Sequence, residues 1–532
     1  MTATSEPLLP QPLLPEVRPT FYERWRLRLE TDPRVHRLWS WLAPLLVTLL
    51  AALLRFWNLG QPHALVFDET YYVKDAWSQW HLGYPATWPK NPDFAFADGA
   101  TDVFTTSPAY VVHPPLGKWI IGVGMALFGP DSSVGWRFSV AVFGTATVLV
   151  LYFLARALGG SIVSATVTAL FLAVDGLGIV LSRVGILDGI LTFFVVLAFW
   201  FVALDRRRHR ERLEAAIAAR DDGLPPSWGP VFWNRPWILA AGAAIGAATA
   251  VKWSGLWVLA GLGVYLVVDD ALARRKAGVL FWPTDALRQG VVAFVLCVPV
   301  ALVVYLASWT GWLVTDGGYD RHSVDDHPAT GLWAWVPLPL QNLWHYHQSI
   351  YGSNVNLSTP HNYASPAWQW PLMLRPTSMY YSGTATGVEG CTAGGSGCSE
   401  GITSIANPLL WWAAVIAVIY LVWRCIAKRD GRDWLVLTGV VATYVPWLLY
   451  PERTIFQFYT IVILPFMLLA LTTTLRDLAR LKTRRGLALG RWAAGILIVA
   501  VVIVSIWYYP VWTAMKVPYD FWYLHFNRAG WI

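Results

Sequence analysis

The hydrophobic positions of this chain fall into long runs that are separated by short polar segments. Each run extends over about 16–22 residues, close to the length that a helix needs to cross the hydrocarbon core of a membrane. A backbone in lipid has no water to bond, so these runs are predicted to be helical. Eleven spans are predicted, at residues 41–57, 134–155, 161–180, 186–204, 236–251, 253–268, 289–308, 409–425, 434–450, 454–474 and 492–510.

Composition supports a membrane protein and excludes several other classes. Hydrophobic residues make up 56% of the 532 residues and charged residues 14%, against about 25% charged residues in soluble proteins. A soluble multidomain protein, a disordered chain and a small disulfide scaffold are therefore excluded. The 33 Trp residues fit the same interpretation, because an apolar ring with one polar edge favours the membrane interface.

The distribution of positive charge predicts the orientation. Most of the 40 Lys and Arg residues lie in the short segments that face the cytoplasm if the N-terminus is cytoplasmic, whereas the two longest outer loops carry two each. Such an asymmetry is typical of membrane topology signals. The net charge of +7 therefore does not indicate nucleic-acid binding.

This orientation divides the chain into five regions. They are a cytoplasmic tail (1–40), seven spans with the first outer loop (41–308, loop 58–116), the second outer loop (309–408), four spans (409–510) and an outer tail (511–532). Two of the four cysteines, Cys391 and Cys398, flank a Gly-rich stretch of the second outer loop, and a disulfide is expected there if the loop faces an oxidising compartment. Residues 118–128 are too short to span and are predicted to lie along the outer interface as a helix.

Ionisable residues near the spans gather at their predicted outer ends. Such residues are costly in a membrane and mark a functional site by default. A transporter is expected instead to hold polar residues near the midplane, within broken helices. The residues concerned are Arg55, Asp68, Glu69, His113, Lys118, Arg137, Asp175, Arg183, Asp188, Lys252, Glu452 and Arg453.

An acidic pair ringed by cations at headgroup depth suits chemistry on a lipid phosphate. Arg and Lys make charge-assisted bonds to phosphate, and a carboxylate can accept the proton of an attacking hydroxyl. The leaving phosphate needs stabilisation of its developing negative charge. The sequence contains no phosphate-binding loop of the soluble nucleotide-binding folds.

The stretches FDET, HPPLGK, GWRFS and RVGILDG resemble the protein O-mannosyltransferases, a family of GT-C class membrane glycosyltransferases. VKWSGLW and RTIFQFY match the family style, and HNYASPAWQWP in the second outer loop is most similar to actinobacterial members. The resemblance extends over nearly the whole chain. Eukaryotic members carry a β-trefoil MIR domain in the second loop, whereas no threefold repeat occurs here. The resemblance implies an all-α, GT-C type bundle of about eleven transmembrane helices, with short interfacial helices in the outer loops.

The resemblance also implies a reaction and roles for its residues. Mannose would move from polyprenyl-phosphate-mannose to Ser or Thr hydroxyls of secreted proteins, in one inverting displacement. Asp68 would be the general base and Glu69 would place donor or acceptor. Donor phosphate would be bound by Arg137, with Arg55, Lys252 and Arg453 as weaker candidates. The substrate-binding candidates are His113, Lys118, Asp188, His361, Tyr363, Trp368, Trp370 and Arg375.

Structural roles are the alternatives for several of these residues. Asp68 and Glu69 could cap a helix or pair with Arg55, and Arg137 could snorkel to the interface. An ion pair between Asp188 and Arg183 is the favoured interpretation of both residues. His113 and the Glu452–Arg453 hairpin could simply shape turns.

The expected partners are the lipid-linked donor, a secreted polypeptide and the bilayer, with no nucleic acid; association with the secretion machinery is left open. The expected location is the plasma membrane, with the active site outside. No cofactor is indicated, and the loop histidines lack a metal-binding pattern, although a divalent metal is left open. Two rivals remain, a transferase acting on a lipid or glycan acceptor and a transporter or flippase.

Overall fold

The computed structural model describes residues 20–90, 92–220, 224–428, 431–481, 488–526 and 531. Much of the predicted N-terminal tail, and residues 527–530 of the C-terminal tail, lie outside these ranges. Nineteen α-helices occur in the described part of the chain. They are α1 Phe21–Thr31, α2 Pro33–Phe56, α3 Glu69–Leu82, α4 Pro92–Ala97, α5 Leu116–Phe128, α6 Ser133–Ala157, α7 Ile162–Val174, α8 Gly176–Val180, α9 Leu187–Ala218, α10 Pro236–Val251, α11 Gly255–Lys276, α12 Trp282–Ser308, α13 Thr310–Val314, α14 Leu338–Asn356, α15 Pro408–Lys428, α16 Gly431–Tyr444, α17 Leu464–Leu478, α18 Leu489–Trp512 and α19 Tyr519–Leu524.

Seven helices of the described residues are long and apolar enough to cross a membrane, namely α2, α6, α9, α11, α12, α15 and α18. They coincide with seven of the eleven predicted spans. The all-α membrane fold class predicted from sequence is therefore confirmed at this level, and the chain is a multi-span membrane protein. The first of these helices begins at Pro33 rather than at residue 41, because Asp32 accepts hydrogen bonds from the backbone of Arg34 and Val35 and caps it there.

The other four predicted spans are short or interrupted helices. Span 161–180 is divided into α7 and α8 because Asp175 caps α8, accepting from the backbone of Leu177 and Gly178. Span 236–251 is α10, with 16 residues. Span 434–450 contains α16, which is followed by a 3-10 segment at Val445–Leu449. Span 454–474 contains α17, which is preceded by a 3-10 segment at Gln457–Val462. The count of eleven membrane crossings stays a prediction.

Small residues allow the central helices to pack closely. A Cβ atom added at Gly242 or Gly246 of α10 would collide with the backbone of Cys297 or Ala301 in α12. Small residues at helix interfaces permit such close approach in membrane proteins. Helix α10 therefore packs between α9 and α12, and Lys252, which follows it, contacts Asp188 in the first turn of α9.

The ends of α9 and α11 that lie away from Asp188 carry a network of buried ion pairs. Asp205 binds Arg235 at 2.5 Å, and Asp270 binds His209 at 2.6 Å. Asp270 also binds Arg274, which in turn binds Asp285. Each of these charges has an opposite or hydrogen-bonding partner, so the network ties α9, α11 and α12 together.

The second outer loop contains a small β-sheet that the sequence pattern did not predict. Strand β1 (Thr377–Thr384) pairs antiparallel with β2 (Cys398–Ser404), which pairs with the two-residue β3 (Val517–Pro518) near the C-terminus. The predicted disulfide is confirmed, since Cys391 and Cys398 are bonded across the β1–β2 connection. The sheet fastens the second outer loop to the segment that follows α18.

Candidate active site

Asp68 stands at the first turn of α3 with its carboxylate uncommitted. Although it occupies the position before the helix, its side chain makes no capping bond, and no hydrogen bond of this carboxylate is found among the described residues. Phe67, with φ 48°, packs its ring against His361 and Phe456 at centroid distances of 6.2 and 5.8 Å. This contact brings the second outer loop and the hairpin before α17 beside Asp68.

The environment of Asp68 raises the pKa of its carboxyl group to about 6. Burial is the main cause, because desolvation disfavours the charged form. The positive charge of Lys252 lowers this pKa and the negative charge of Asp188 raises it. A carboxylate with such a pKa is still mostly ionised at pH 7, yet it accepts a proton more readily than an ordinary Asp.

Asp188 and Lys252 form a buried ion pair next to Asp68. The Lys252 ammonium lies 2.7 Å from Asp188. The sequence-based pairing of Asp188 with Arg183 is therefore wrong. Arg183 donates instead to the backbone carbonyls of Arg55, Trp57 and Asn58, because the chain beyond α2 leaves those carbonyls without helical partners.

A cavity of about 430 Å³ opens at this ion pair. Asp188, Lys252 and Ser254 give it one polar end, and the rest of its wall is mostly apolar. Lys252 also lies 5.0 Å from the centre of the Tyr459 ring. The wall consists of Leu191, Val195, Trp257, Val258, Ala442, Thr443, Pro446, Trp447, Tyr459 and Val462.

Arg453, in the hairpin before α17, lies beside a residue of this cavity wall. Its guanidinium lies 5.4 Å from the centre of the Trp447 ring and donates to the backbone and side chain of Asn354, at 2.7 and 3.1 Å. Glu452, the other member of the PERT hairpin, is exposed. The cation at position 453 is thus held beside a residue that lines the cavity.

Glu69 and Arg137 form a second, closed arrangement. Both side chains are fully buried, and Arg137 grips the Glu69 carboxylate through two bonds of 2.8 and 2.9 Å. The remaining Arg137 donors bond the carbonyls of Leu59, Pro62 and Ala64. Its five N–H groups are all occupied, which leaves no donor for a phosphate in this conformation.

Arg55 is occupied in the same way. It is 1% exposed and donates to the Ser182 hydroxyl and to the carbonyls of Ala51, Leu172, Ala173 and Gly178. These contacts hold the break between α7 and α8 against α2. Neither Asp68 nor Glu69 pairs with Arg55.

His113 and Lys118 line a different cavity from the one at Lys252. The Lys118 ammonium is buried and donates to the His113 carbonyl at 2.9 Å. Burial lowers the pKa of Lys118 to about 8, although nearby Asp75 opposes the change. The His113 ring lies 6.0 Å from that of Tyr72. Both residues line a smaller cavity of about 300 Å³ together with Gln79 and Tyr346.

The remaining predicted residues belong to the second outer loop. His361 accepts from the backbone of Tyr363, whose ring lies 5.1 Å from the Arg375 guanidinium. Trp368 is exposed, whereas Trp370 is buried. His361 is thus placed near Asp68 through Phe67, and no such ring contact of Trp368 is found among the described residues.

Three residues of the site were missed by the sequence reasoning. Tyr459 could have been found, because it belongs to the RTIFQFY stretch. Trp447 lies within an apolar run and Asn354 within a polar loop, so neither carries a distinguishing signal. In the part of the chain that the structure describes, no three His, Cys, Asp or Glu side chains gather as metal ligands would.

Comparison with solved structures gives the class of the fold. The protein O-mannosyltransferase Pmt1–Pmt2 complex of Saccharomyces cerevisiae, solved with its sugar donor bound, contains a similar chain with a TM-score of 0.68 at 14% identity, covering 92% of both chains. The fold is therefore that of a GT-C membrane glycosyltransferase, as the resemblance implied.

Comparison of sequences identifies the family. Residues 45–219 match the profile described as dolichyl-phosphate-mannose-protein mannosyltransferase, and residues 339–526 match the C-terminal four-transmembrane region of protein O-mannosyltransferases. The polyprenol-phosphate-mannose–protein mannosyltransferase of Mycolicibacterium smegmatis is 33% identical, covering 92% of this chain and 93% of the relative. That of Corynebacterium glutamicum is 30% identical, covering 89% and 90%. The chain belongs to the bacterial protein O-mannosyltransferase family.

Proposed function

We propose that this protein transfers mannose from polyprenyl-phosphate-mannose to Ser or Thr hydroxyls of polypeptides. The observation that carries the proposal is the uncommitted Asp68 carboxylate within electrostatic reach of the Asp188–Lys252 pair. That pair lies at the polar end of an otherwise apolar cavity. The named relatives use a polyprenol-linked mannose and a protein, and this cavity offers one feature for each part of that reaction.

Asp68 is the general base. It accepts the proton of the acceptor hydroxyl while the hydroxyl oxygen attacks the anomeric carbon of mannose. The bond between that carbon and the phosphate oxygen breaks in the same step, and its electron pair leaves with the polyprenyl phosphate. One displacement inverts the anomeric configuration, and no sugar–enzyme intermediate is required.

Lys252 and Arg453 stabilise the departing phosphate. Lys252 has three N–H donors, of which one is engaged with Asp188 among the described residues. Negative charge that grows on the leaving phosphate is therefore met by preorganised cations in a poorly hydrated site. The apolar wall formed by Val195, Val258 and Trp257 accepts the first units of the polyprenyl chain, and Trp257 is exposed enough to border lipid.

Glu69 and Arg137 position the base rather than touching the donor. Glu69 directly follows Asp68 and accepts from the backbone of Val66 and Gly185 as well as from Arg137. These bonds fix the first turn of α3 on both sides of Asp68. A fixed base supports a faster reaction than a mobile one, because misplacement by about 1 Å can lower a rate by about 100-fold.

The proposed location is the plasma membrane, with the N-terminus in the cytoplasm and the site on the outer face. The asymmetry of Lys and Arg supports this orientation. In this orientation Asp68, Lys252 and Arg453 face the side of the membrane to which the acceptor polypeptide is secreted.

The test uses purified protein in lipid nanodiscs with polyprenyl-phosphate-[¹⁴C]mannose and a Ser/Thr-rich peptide. Label is expected on the peptide, with release of polyprenyl phosphate in equal amount. Label on lipid or glycan but not on peptide would contradict the proposed acceptor. Movement of intact donor across the bilayer without transfer would contradict the enzyme class.

A further inference from the structure

A group of large apolar side chains in the second outer loop is exposed without a protein partner. Leu332, Trp333 and Trp335 are 89%, 66% and 77% exposed, and Trp344 of α14 is also largely exposed. Among the described residues, none of these three Trp rings stacks on another aromatic ring. We call these four residues the Trp surface. Several large apolar side chains exposed in one part of a molecule indicate an interaction site.

Hydrogen bonds hold the four residues together. The Gln341 side chain of α14 accepts from the Ala329 backbone at 2.6 Å and donates to the Val336 carbonyl at 2.7 Å. The segment that carries Leu332, Trp333 and Trp335 is thereby clamped onto the first turns of α14. Trp344 lies three residues after Gln341, on the same side of the helix.

The stretch of chain that carries the Trp surface contains no Asp, Glu, Lys or Arg. It extends between Asp326 and Arg375. A protein-binding surface normally has a polar or charged rim, whereas a long uncharged segment with exposed Trp is suited to the headgroup region of a membrane. Charged residues occur immediately before this stretch, at Asp320, Arg321, Asp325 and Asp326.

Helix α14, which carries Trp344, packs at the end of a lipid-facing helix. Helix α12 exposes Leu302 and Val303 as a membrane-spanning helix does, and α13, which follows it, exposes Val314. Leu343 and Tyr346 of α14 pack in one cluster with Trp309 and Trp312 at this end of α12. The body that carries the Trp surface is therefore fixed to the membrane end of α12.

We propose that the Trp surface is embedded in the interfacial layer of the bilayer, so that its occupant is lipid. Trp places its apolar ring among acyl chains and its N–H among headgroups, which compensates for the exposure. The second outer loop, including His361, is thereby held at the level where a lipid-linked phosphate enters the cavity at Lys252.

The experiment attaches the fluorophore NBD to Trp335→Cys in nanodisc-embedded protein. The two cysteines outside the disulfide, Cys297 and Cys425, are buried, and Cys391 and Cys398 are bonded to each other. The control is Val103→Cys, an exposed apolar position that directly follows Asp102 in the first outer loop. Leu332→Cys provides a second site on the Trp surface.

At positions 335 and 332 we expect blue-shifted emission, strong quenching by lipids that carry a nitroxide near the headgroup, and weak quenching by aqueous iodide. At position 103 iodide should quench strongly. Strong iodide quenching at all three positions would overturn the proposal. Protection at 335 and 332 from both quenchers would overturn it as well, because the occupant would then be a protein or a second copy of this chain.

Discussion

Asp68 and Glu69 are adjacent in sequence and chemically alike, yet the fold treats them in opposite ways. Glu69 is fully buried and bonded to a guanidinium and two backbone amides. The Asp68 side chain is half-buried, makes no hydrogen bond to the described residues, and lies within electrostatic reach of Asp188 and Lys252, which line a cavity. We call Glu69 and Arg137 the closed cluster, and Asp68, Asp188 and Lys252 the open cluster.

The difference separates structural charges from reactive ones. A buried charge whose bonding capacity is used up contributes position, and it cannot change partners without loss of stability. A charge with capacity left over has a perturbed environment and can act on a substrate. The same distinction applies along α9. Asp188 accepts one side-chain bond, from Lys252, whereas Asp205, about 25 Å away along the helix, accepts bonds from Arg235 through both carboxylate oxygens.

The largest expected effect follows from Asp68→Asn. The substitution keeps the shape of the side chain and removes the base, so transfer to peptide should fall by about 10²- to 10⁴-fold. The unfolding midpoint of the purified protein should stay unchanged, because no hydrogen bond among the described residues is lost. Near-normal turnover in this variant would remove Asp68 from the reaction.

The next effect concerns the proposed phosphate ligand. Lys252→Met alone leaves Asp188 buried and unpaired, so the double variant Lys252→Met/Asp188→Asn is the informative one. Its fold should be retained, while transfer falls by about 10- to 100-fold through loss of a charge-assisted bond. Steady-state kinetics with varied donor test this, and a double variant with wild-type turnover and donor affinity would contradict the role of Lys252.

The pH dependence tests the state of the base. Because burial raises the pKa of Asp68 to about 6, the reactive carboxylate form is lost as the pH falls through 6. The value of kcat/KM should therefore decrease about tenfold per pH unit below 6 and level off above 7. A flat profile between pH 4.5 and 7 would show that no group with this pKa limits the reaction.

The smallest effect on turnover is expected for Glu69→Gln, which opens the closed cluster. Removing one partner of a buried ion pair typically costs about 3–5 kcal/mol of stability, so the thermal unfolding midpoint should drop clearly. Turnover per folded molecule should fall far less than in Asp68→Asn. If stability were unchanged and transfer abolished, Glu69 would be a reacting group, and the distinction between the closed and the open cluster would be wrong.

Sequence reasoning found the parts of the fold and site that depend on local pattern. Apolar runs located the seven long helices, and the stretch FDET together with VKWSGLW contained Asp68 and Lys252. Arg55 and Arg137 were also predicted to bind phosphate. The sequence pattern of a cation near a membrane interface is the same whether its N–H donors are free or occupied. Only the fold reveals the carbonyls that these two residues bind.

Other features depend on contacts that are distant in sequence. Asp188 is five residues from Arg183 but pairs with Lys252, 64 residues away, because α10 ends beside the start of α9. The β-sheet could not be expected either, as β2 finds its second partner after α18. The break at Asp175 was hidden within an apolar run that has the length of one span.

The central claim is that the open cluster, and not the closed one, holds the donor phosphate. A polyprenyl-phosphate analogue with a photoreactive group on the first isoprene unit tests it directly, with natural donor as competitor and the modified peptides identified by mass spectrometry. We predict crosslinks within residues 252–258 and 443–462, around Lys252, Trp447 and Tyr459. Crosslinks that the natural donor suppresses within residues 133–157 or 33–56, around Arg137 or Arg55, would contradict the proposal that the open cluster holds the phosphate.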